Sequence, residues 1–298
     1  MADSEHLVSI GIPTYNRAGQ LGRAIESALA QDYADVEVVI SDNASTDGTQ
    51  ALCEEFRRRD SRIRYIRQGT NIGMAGNHVE VFRHARGEFY MVLGDDDWID
   101  PSYVSTCVRA LCAEPGFAAV CGKPFLYQSG HPLAEGVITN LLQRSGGERV
   151  LAYYREVFDN VPFYGVSRRE LLATVPPMRN TMAGDWLYIA SLAFVGKIKT
   201  METTAVYKSV GAGASASVEQ IVRSVGLPAF QARHPVLSVI LNACKEIAWA
   251  SPAYRSGGRL GRLVLSCKVG TVLARKYHLH RALSYRGRLV VAWVKGRR

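Results

Sequence analysis

Four short apolar runs with helical stretches between them constrain this chain more than any other feature. "LVSIGI" (7–12), "VEVVIS" (36–41), "RIRYIRQ" (62–68) and "EFYMVL" (88–93) read as strands. The first is continuous in apolar residues, the pattern of a strand buried on both faces of its sheet. After it, Leu21, Ala24, Ile25, Ala28 and Leu29 recur at i, i+3, i+4, i+7 and i+8, one apolar stripe of a helix. "NASTDGT" is a turn with Ser and Asp as capping candidates, and "TQALCEEFRRR" follows it as a second helix. A third amphipathic helix runs through Val81, Phe82 and Ala85. A βαβαβαβ order with short connections implies an α/β fold: a Rossmann-like, mostly parallel sheet with right-handed crossovers and helices on both faces.

Beyond Pro101 the sequence predicts a helix ("SYVSTCVRALCAE") and a strand ("FAAVCGKPFLY"), then a polar, Gly-containing loop, "QSGHPLAEGVITNLLQRSGG". "DWLYIASLAFVGKI", from Asp185, is apolar on all sides and reads as a buried helix. "GAGASAS" (211–217) reads as a flexible loop before a helix with Val218, Ile221, Val222 and Val225 on one face. In "PVLSVILNACKEIAWA" a further helix aligns Leu237, Ile240, Leu241, Cys244 and Ala248. We therefore expect a catalytic-type α/β domain over 1–215 and a helical, basic C-terminal extension over 216–298.

Charge supports that division. The chain has 36 Lys and Arg against 27 Asp and Glu. No Asp or Glu follows Glu246, while twelve Lys or Arg fall between Arg255 and Arg298; without those twelve the chain holds 24 basic against 27 acidic residues. The basicity is local. Interleaved with Leu, Val, Tyr and Trp, it suits an anionic membrane surface better than nucleic acid, which we do not expect as a partner.

The six cysteines form no C-x-x-C pair and sit mostly among apolar neighbours, as reduced core thiols would. The first residues lack the basic and apolar regions of a signal peptide, and no window reaches the ~18 uncharged apolar residues of a spanning helix. The expectation is a cytoplasmic protein, peripheral at the inner face of the cell membrane through its tail. "GAGASA" imitates a dinucleotide fingerprint but lacks the acidic residue about twenty positions on. His278 and His280 alone make no metal site, and no P-loop or G-x-S-x-G elbow occurs.

Ligands of an open parallel sheet bind at the carboxyl ends of its strands. Those ends carry "PTYN" (13–16), Asp42–Asn43, "NIGMAGN" (71–77) and Asp95–Asp96–Asp97, all on one edge. Three adjacent carboxylates repel each other and call for a counter-charge, which a divalent cation supplies better than a solvated turn does. Taken in order, "VSIGIPTYNR", "VVISDNASTDGT", "NIGMAGN" and "GEFYMVLGDDDWIDP" resemble the family 2 glycosyltransferases, inverting enzymes of the GT-A fold that use a nucleotide-sugar donor. The resemblance covers residue 7 to about 210.

It implies a role for each matching position. Pro13 and Tyr15 would cradle the base and Asp42 would accept from its N3–H, a donor in uracil and thymine but absent from cytosine. Asn71 and Asn77 would belong to the donor loop, or would simply shape it. Asp95 would lie beside the ribose, and Asp96 with Asp97 would hold Mg²⁺ or Mn²⁺ against the diphosphate. Asp185 would be the base that takes the acceptor's proton; as a bare structural feature it would be a helix N-cap. This chain departs from the family at Gly94, often the first Asp of the acidic motif, at Gly76, often Arg, and at Gly184, usually Glu. The implied function is transfer from a UDP- or dTDP-sugar to a glycan or lipid-linked acceptor, in bacterial envelope polysaccharide synthesis. The rival classes are a sugar-nucleotide nucleotidyltransferase, whose Gly-rich first loop with Arg is replaced here by "PTYNRAG", and a non-catalytic nucleotide-sugar binding module, which would have no use for the metal and base positions.

Overall fold

The computed structural model describes residues 6–128, 130–209, 222 and 226–284. The loop expected at 211–217 and the helix after it lie outside these residues, Val222 excepted, as do the expected 215/216 boundary and the tail past Ser284.

The four expected strands are β1 (Val8–Thr14), β2 (Val36–Asp42), β3 (Ile63–Arg67) and β4 (Phe89–Val92). They pair in parallel in the order β3-β2-β1-β4, with Thr14 opposite Asp42 at the carboxyl edge. Beyond β4 the same sheet turns mixed through β8, β6, β9 and β5. β5 is Trp98–Ile99, β6 Phe117–Gln128, β8 Val166–Arg168 and β9 Lys197–Ser209. β8 runs antiparallel to both β4 and β6, whereas β6 and β9 are parallel. The polar stretch expected as loop instead contains β7 (His131–Glu135), which folds back on β6 as a hairpin. Its residues are mostly exposed, so no apolar alternation marks it.

Strand periodicity sorts the core into two layers. Val8, Ile10 and Ile12, with Val36, Val38 and Ile40, face helices α1 (Leu21–Leu29), α2 (Thr49–Arg59) and, further along the sheet, α4 (Tyr103–Ala113). Tyr90, Val92 and Ala118 face the opposite layer, with α3 (Gly73–His84), α5 (Gly146–Glu156) and α7 (Gly184–Val195). A single-turn α6 (Arg169–Leu172) follows β8.

The second layer is completed from the far end of the chain. After α8 (Ala229–Arg233) come α9 (Pro235–Lys245), a π-helical turn at Glu246–Ala250, a 3₁₀ stretch and the long α10 (Gly258–Ser284). Leu265, Val269 and Leu273 of α10 join the same core as Val150 of α5 and Val239 of α9. The described part of the basic extension, Gly226 to Ser284, is thus packed into the fold. The stripe expected on α9 is met in part: Ile240, Cys244 and Ala248 are half-buried, whereas Leu237 and Leu241 are exposed and Ser238, Val239 and Ala243 face inward. This helix is apolar nearly all round, so periodicity alone does not choose its buried face.

The six cysteines form no disulfide. Cys53, Cys107 and Cys121 lie in the core as expected, but Cys112 and Cys267 are exposed.

Candidate active site

The loops after β1 and β2 are clamped together. Asn16, in a left-handed conformation (φ 54°), donates its backbone N–H to Ser45 Oγ (2.9 Å) and accepts from the Thr46 N–H (2.8 Å). The Asn43 N–H donates to the Thr14 carbonyl (2.9 Å). Tyr15 stands beside this clamp with 44% of its surface exposed, and Pro13 is half-buried. Both are open for a flat ring to lie on.

Asp42 lies beneath them with 0% exposure. Its Oδ1 accepts from the Ser45 N–H (2.8 Å); its Oδ2 accepts from the Tyr65 hydroxyl (2.8 Å) and lies 3.6 Å from Arg67 Nε. The Asx-type turn and the buried anchor are both built, and the half-exposed Arg67 is the neighbour that reaches outward.

Asn77 is also committed to the scaffold. It accepts from Ser41 Oγ (2.7 Å) and donates to the carbonyls of Ser41 (2.9 Å) and Thr14 (3.3 Å), pinning α3 across the ends of β1 and β2. At 3% exposure both of its amide hydrogens and one lone pair of its Oδ1 are spent on the scaffold. Asn71 shapes the loop, its Oδ1 accepting from Asn43 Nδ2 and the Gly73 N–H (both 2.8 Å).

The three acidic residues point different ways. Asp97 is 3% exposed and turned inward, accepting from the Tyr164 hydroxyl on Oδ2 (2.7 Å) and from the Ser209 N–H on Oδ1 (2.7 Å). It ties the β4–β5 turn to the end of β9, so the expected pairing of Asp96 with Asp97 on a metal does not match this geometry. The same arrangement explains Gly94: a Cβ there would stand 2.3 Å from Asp97 Oδ2. Asp95 and Asp96 remain at the crevice. Arg17 Nε lies 3.7 Å from Asp95 Oδ1. Burial pushes Asp95 up to about 6, and the Asp96 charge adds to this against the Thr14 hydroxyl and Arg17.

Among the described residues no three His, Cys, Asp or Glu side chains cluster into a metal cage. Mg²⁺ needs none, because it takes one or two carboxylates and completes its octahedron with water and substrate phosphates. Two adjacent carboxylates that repel each other fit such an ion.

Asp185 reaches the same crevice from the other layer. It is the second residue of α7, and the N-cap is Ala183, held left-handed at φ 57°. Gly184, the other departure, is required by close approach: a Cβ would meet the Arg179 carbonyl oxygen at 2.1 Å. Asn160 Nδ2 donates to Asp185 Oδ2 (2.8 Å), and the Tyr153 hydroxyl donates to Asn160 Oδ1 (2.7 Å), which fixes the amide's orientation. Burial raises the Asp185 pKa, opposed by Asn160, the Trp186 N–H and the Lys208 charge. Lys208 also acts on Asp97, and the Tyr164 hydroxyl feels Asp97, Asp96 and Asp185 together. The segment 159–164 links the two: Tyr164 donates to Asp97 of the acidic motif, Asn160 donates to Asp185, and Lys208 donates to the Asp159 carbonyl and lies over the Tyr164 ring.

Glycosyl transferase family 2 matches residues 9–175. The chain belongs to that family. It is 34% identical over 125 residues to the GalNAc(5)-diNAcBac-PP-undecaprenol beta-1,3-glucosyltransferase of Campylobacter jejuni, covering 42% of this chain and 40% of that one. Chondroitin synthase of Escherichia coli is 40% identical over 115 residues, 38% of this chain and 16% of that enzyme. The chain thus spans less than half the length of these relatives. Among solved structures, S. aureus TarS 1–349 in complex with UDP-GlcNAc superposes with a TM-score of 0.56 at 18% identity, over 93% of this chain and 92% of that one. An archaeal mannosyltransferase from Pyrobaculum calidifontis, in complex with GDP-Man and Mn²⁺, gives 0.53 at 17% identity over 97% and 78%. At these identities the structural likeness carries the GT-A fold. Family membership removes the nucleotidyltransferase alternative.

Sequence reasoning missed Tyr164, Lys208, Asn160, Arg17 and Arg67. "DNVP" around Asn160 carries a turn cue, but nothing local announces the contact with Asp185 twenty-five residues on.

Proposed function

We propose that this chain is a metal-dependent inverting glycosyltransferase acting on a UDP- or dTDP-sugar, with a glycan or lipid-linked acceptor of the bacterial envelope. The observation that supports the reading is the 159–164 segment, whose Tyr164 holds Asp97 of the acidic motif and whose Asn160 holds Asp185. The base would rest on Pro13 and Tyr15, its edge toward the Asp42–Arg67 pair. Asp96, with Asp95 beside it, would hold Mg²⁺ or Mn²⁺, which offsets the negative charge of the leaving diphosphate.

Asp185 receives the proton of the acceptor hydroxyl. That oxygen forms its bond to the anomeric carbon as the bond to the diphosphate oxygen breaks, and a single displacement inverts the anomeric configuration. Burial makes Asp185 a better base than an exposed carboxylate, and Asn160 fixes one of its oxygens so that the other faces the acceptor. The relative from Campylobacter jejuni, named for a PP-undecaprenol acceptor, supports a lipid-linked acceptor and a peripheral location at the inner membrane face.

A thermal-shift panel of UDP, dTDP, GDP and CDP with Mn²⁺ tests the donor class. UDP and dTDP should raise the melting temperature and CDP should not; a larger shift with GDP overturns the assignment.

A further inference from the structure

Exposed apolar surface is concentrated at one end of this molecule. Of the fourteen large apolar side chains left exposed among the described residues, eight follow Ala229. Leu237 and Leu241 stand on one stripe of α9, which continues through Lys245 to Trp249, 65% exposed, on the π-helical turn. Leu260, Leu263 and Val264 are exposed on the first turns of α10. The two helices are neighbours running in opposite directions: Arg262 Nε donates to the Ile247 carbonyl (3.1 Å), Ser266 Oγ to that of Cys244 (3.1 Å), and Gly270 lies against Ile240. Leucines and a tryptophan in water cost free energy unless something covers them.

The charge around them says what does. Arg255, Arg259, Lys268 and Arg275 are exposed on the same segment and form no ion pair among the described residues. The last carboxylate of the chain, Glu246, is buried and already bound to Arg179 (2.8 Å). No acidic residue follows it in the sequence, so the segment itself offers these cations no partner. A second copy docked on this face would bring like charges together. No described helix is long and apolar enough to cross a membrane. Exposed apolar side chains and exposed cations without an ion pair on the same helices, which are too polar to insert, match the interfacial zone of an anionic bilayer.

We propose that α9, the π-helical turn and the start of α10 form a docking surface for an anionic lipid bilayer, with Leu241 and Trp249 entering the headgroup region. This deepens the peripheral location proposed above and rests on that reading, but not on catalysis.

The test is co-sedimentation of the full chain with vesicles of phosphatidylcholine alone or with 30% phosphatidylglycerol, a composition of about that order being enough to set up a negative surface potential. The wild type should bind the anionic vesicles, and 0.5 M salt, at which the Debye length falls below about 8 Å, should weaken the binding. Leu241→Ser/Trp249→Ser and Arg259→Glu/Lys268→Glu should each lose on the order of tenfold or more in partitioning. Both pairs are surface residues, and an unchanged thermal shift with UDP verifies their folding. Wild-type binding with undiminished binding by both variants overturns this surface and leaves the peripheral reading standing on another segment. No binding by the wild type overturns both. Wild-type dimers that the apolar variant dissolves, seen by sedimentation velocity, overturn the bilayer in favour of a second copy.

Discussion

The two walls of the crevice are built by different means. On the donor wall, β1, β2 and α3 are stitched by short hydrogen bonds among strand ends: Asn77 to Ser41 and Thr14, Asp42 to Ser45 and Tyr65, Asn16 to Ser45 and Thr46. These bonds link segments that neighbour each other in a parallel sheet, and they leave a stiff platform on which Tyr15 is exposed. On the wall proposed for the acceptor, Asp185 accepts from Asn160, which precedes the 3₁₀ turn Val161–Tyr164, feels the charge of Lys208 from β9, and follows the left-handed Ala183 at its own helix start. A rigid, local platform suits the nucleotide proposed to bind it. The proposed base is held by parts distant from one another in the chain.

The comparison breaks most visibly at Asp185. Asp185→Asn should lower kcat by roughly 10²–10⁴-fold, the usual worth of a positioned general base, with UDP affinity unchanged on the donor wall. Calorimetry beside steady-state assays would show it; lost UDP affinity would mean that the walls are not separate.

Asp97 comes next. If it is the brace described here, Asp97→Asn should cost about 1–3 kcal/mol of stability, because the Tyr164 hydroxyl and Ser209 N–H lose a buried charged acceptor. Mn²⁺-dependent UDP binding should persist. Denaturant unfolding separates this from a ligand role, in which stability would hold and metal dependence would vanish.

Asn160→Ala should act through pH. As the proposed base Asp185 must be deprotonated, so kcat should fall as pH drops through its pKa, which burial raises. The Asn160 donor favours the charged form; without it the pKa rises further and the acid limb of the kcat profile should move to higher pH. An unmoved limb would deny Asn160 its positioning role. The smallest effect is expected away from both walls, at the Ser145–Glu148 capping box of α5, where Ser145→Ala should cost ~1 kcal/mol in thermal unfolding and leave kcat alone.

The same contrast explains what could be read from sequence. The donor wall was legible because parallel strands announce themselves as apolar runs and their ends carry the polar residues; α2 falls on the segment "TQALCEEFRRR" chosen for it. β7, exposed along most of its length, and β5 and β8, two and three residues long, have no such pattern. The "SGGE" signal of α5 lies in plain view but inside a stretch whose polarity suggested loop. The direction of a single carboxylate is set by tertiary partners, so "DDD" could not reveal that its third member turns inward. Asp42 and Asn77 show the same limit: the motif locates them, and burial decides what their polar atoms are free to do.

The central claim is that Asp95 and Asp96 grip a cation shared with the donor diphosphate. Calorimetric titration of UDP into the wild type and Asp96→Asn, each with Mn²⁺ and after EDTA, tests it most directly. The account predicts tight binding only for the wild type with metal, and equal, weak binding for the other three. Undiminished UDP affinity in the EDTA-treated wild type would contradict it.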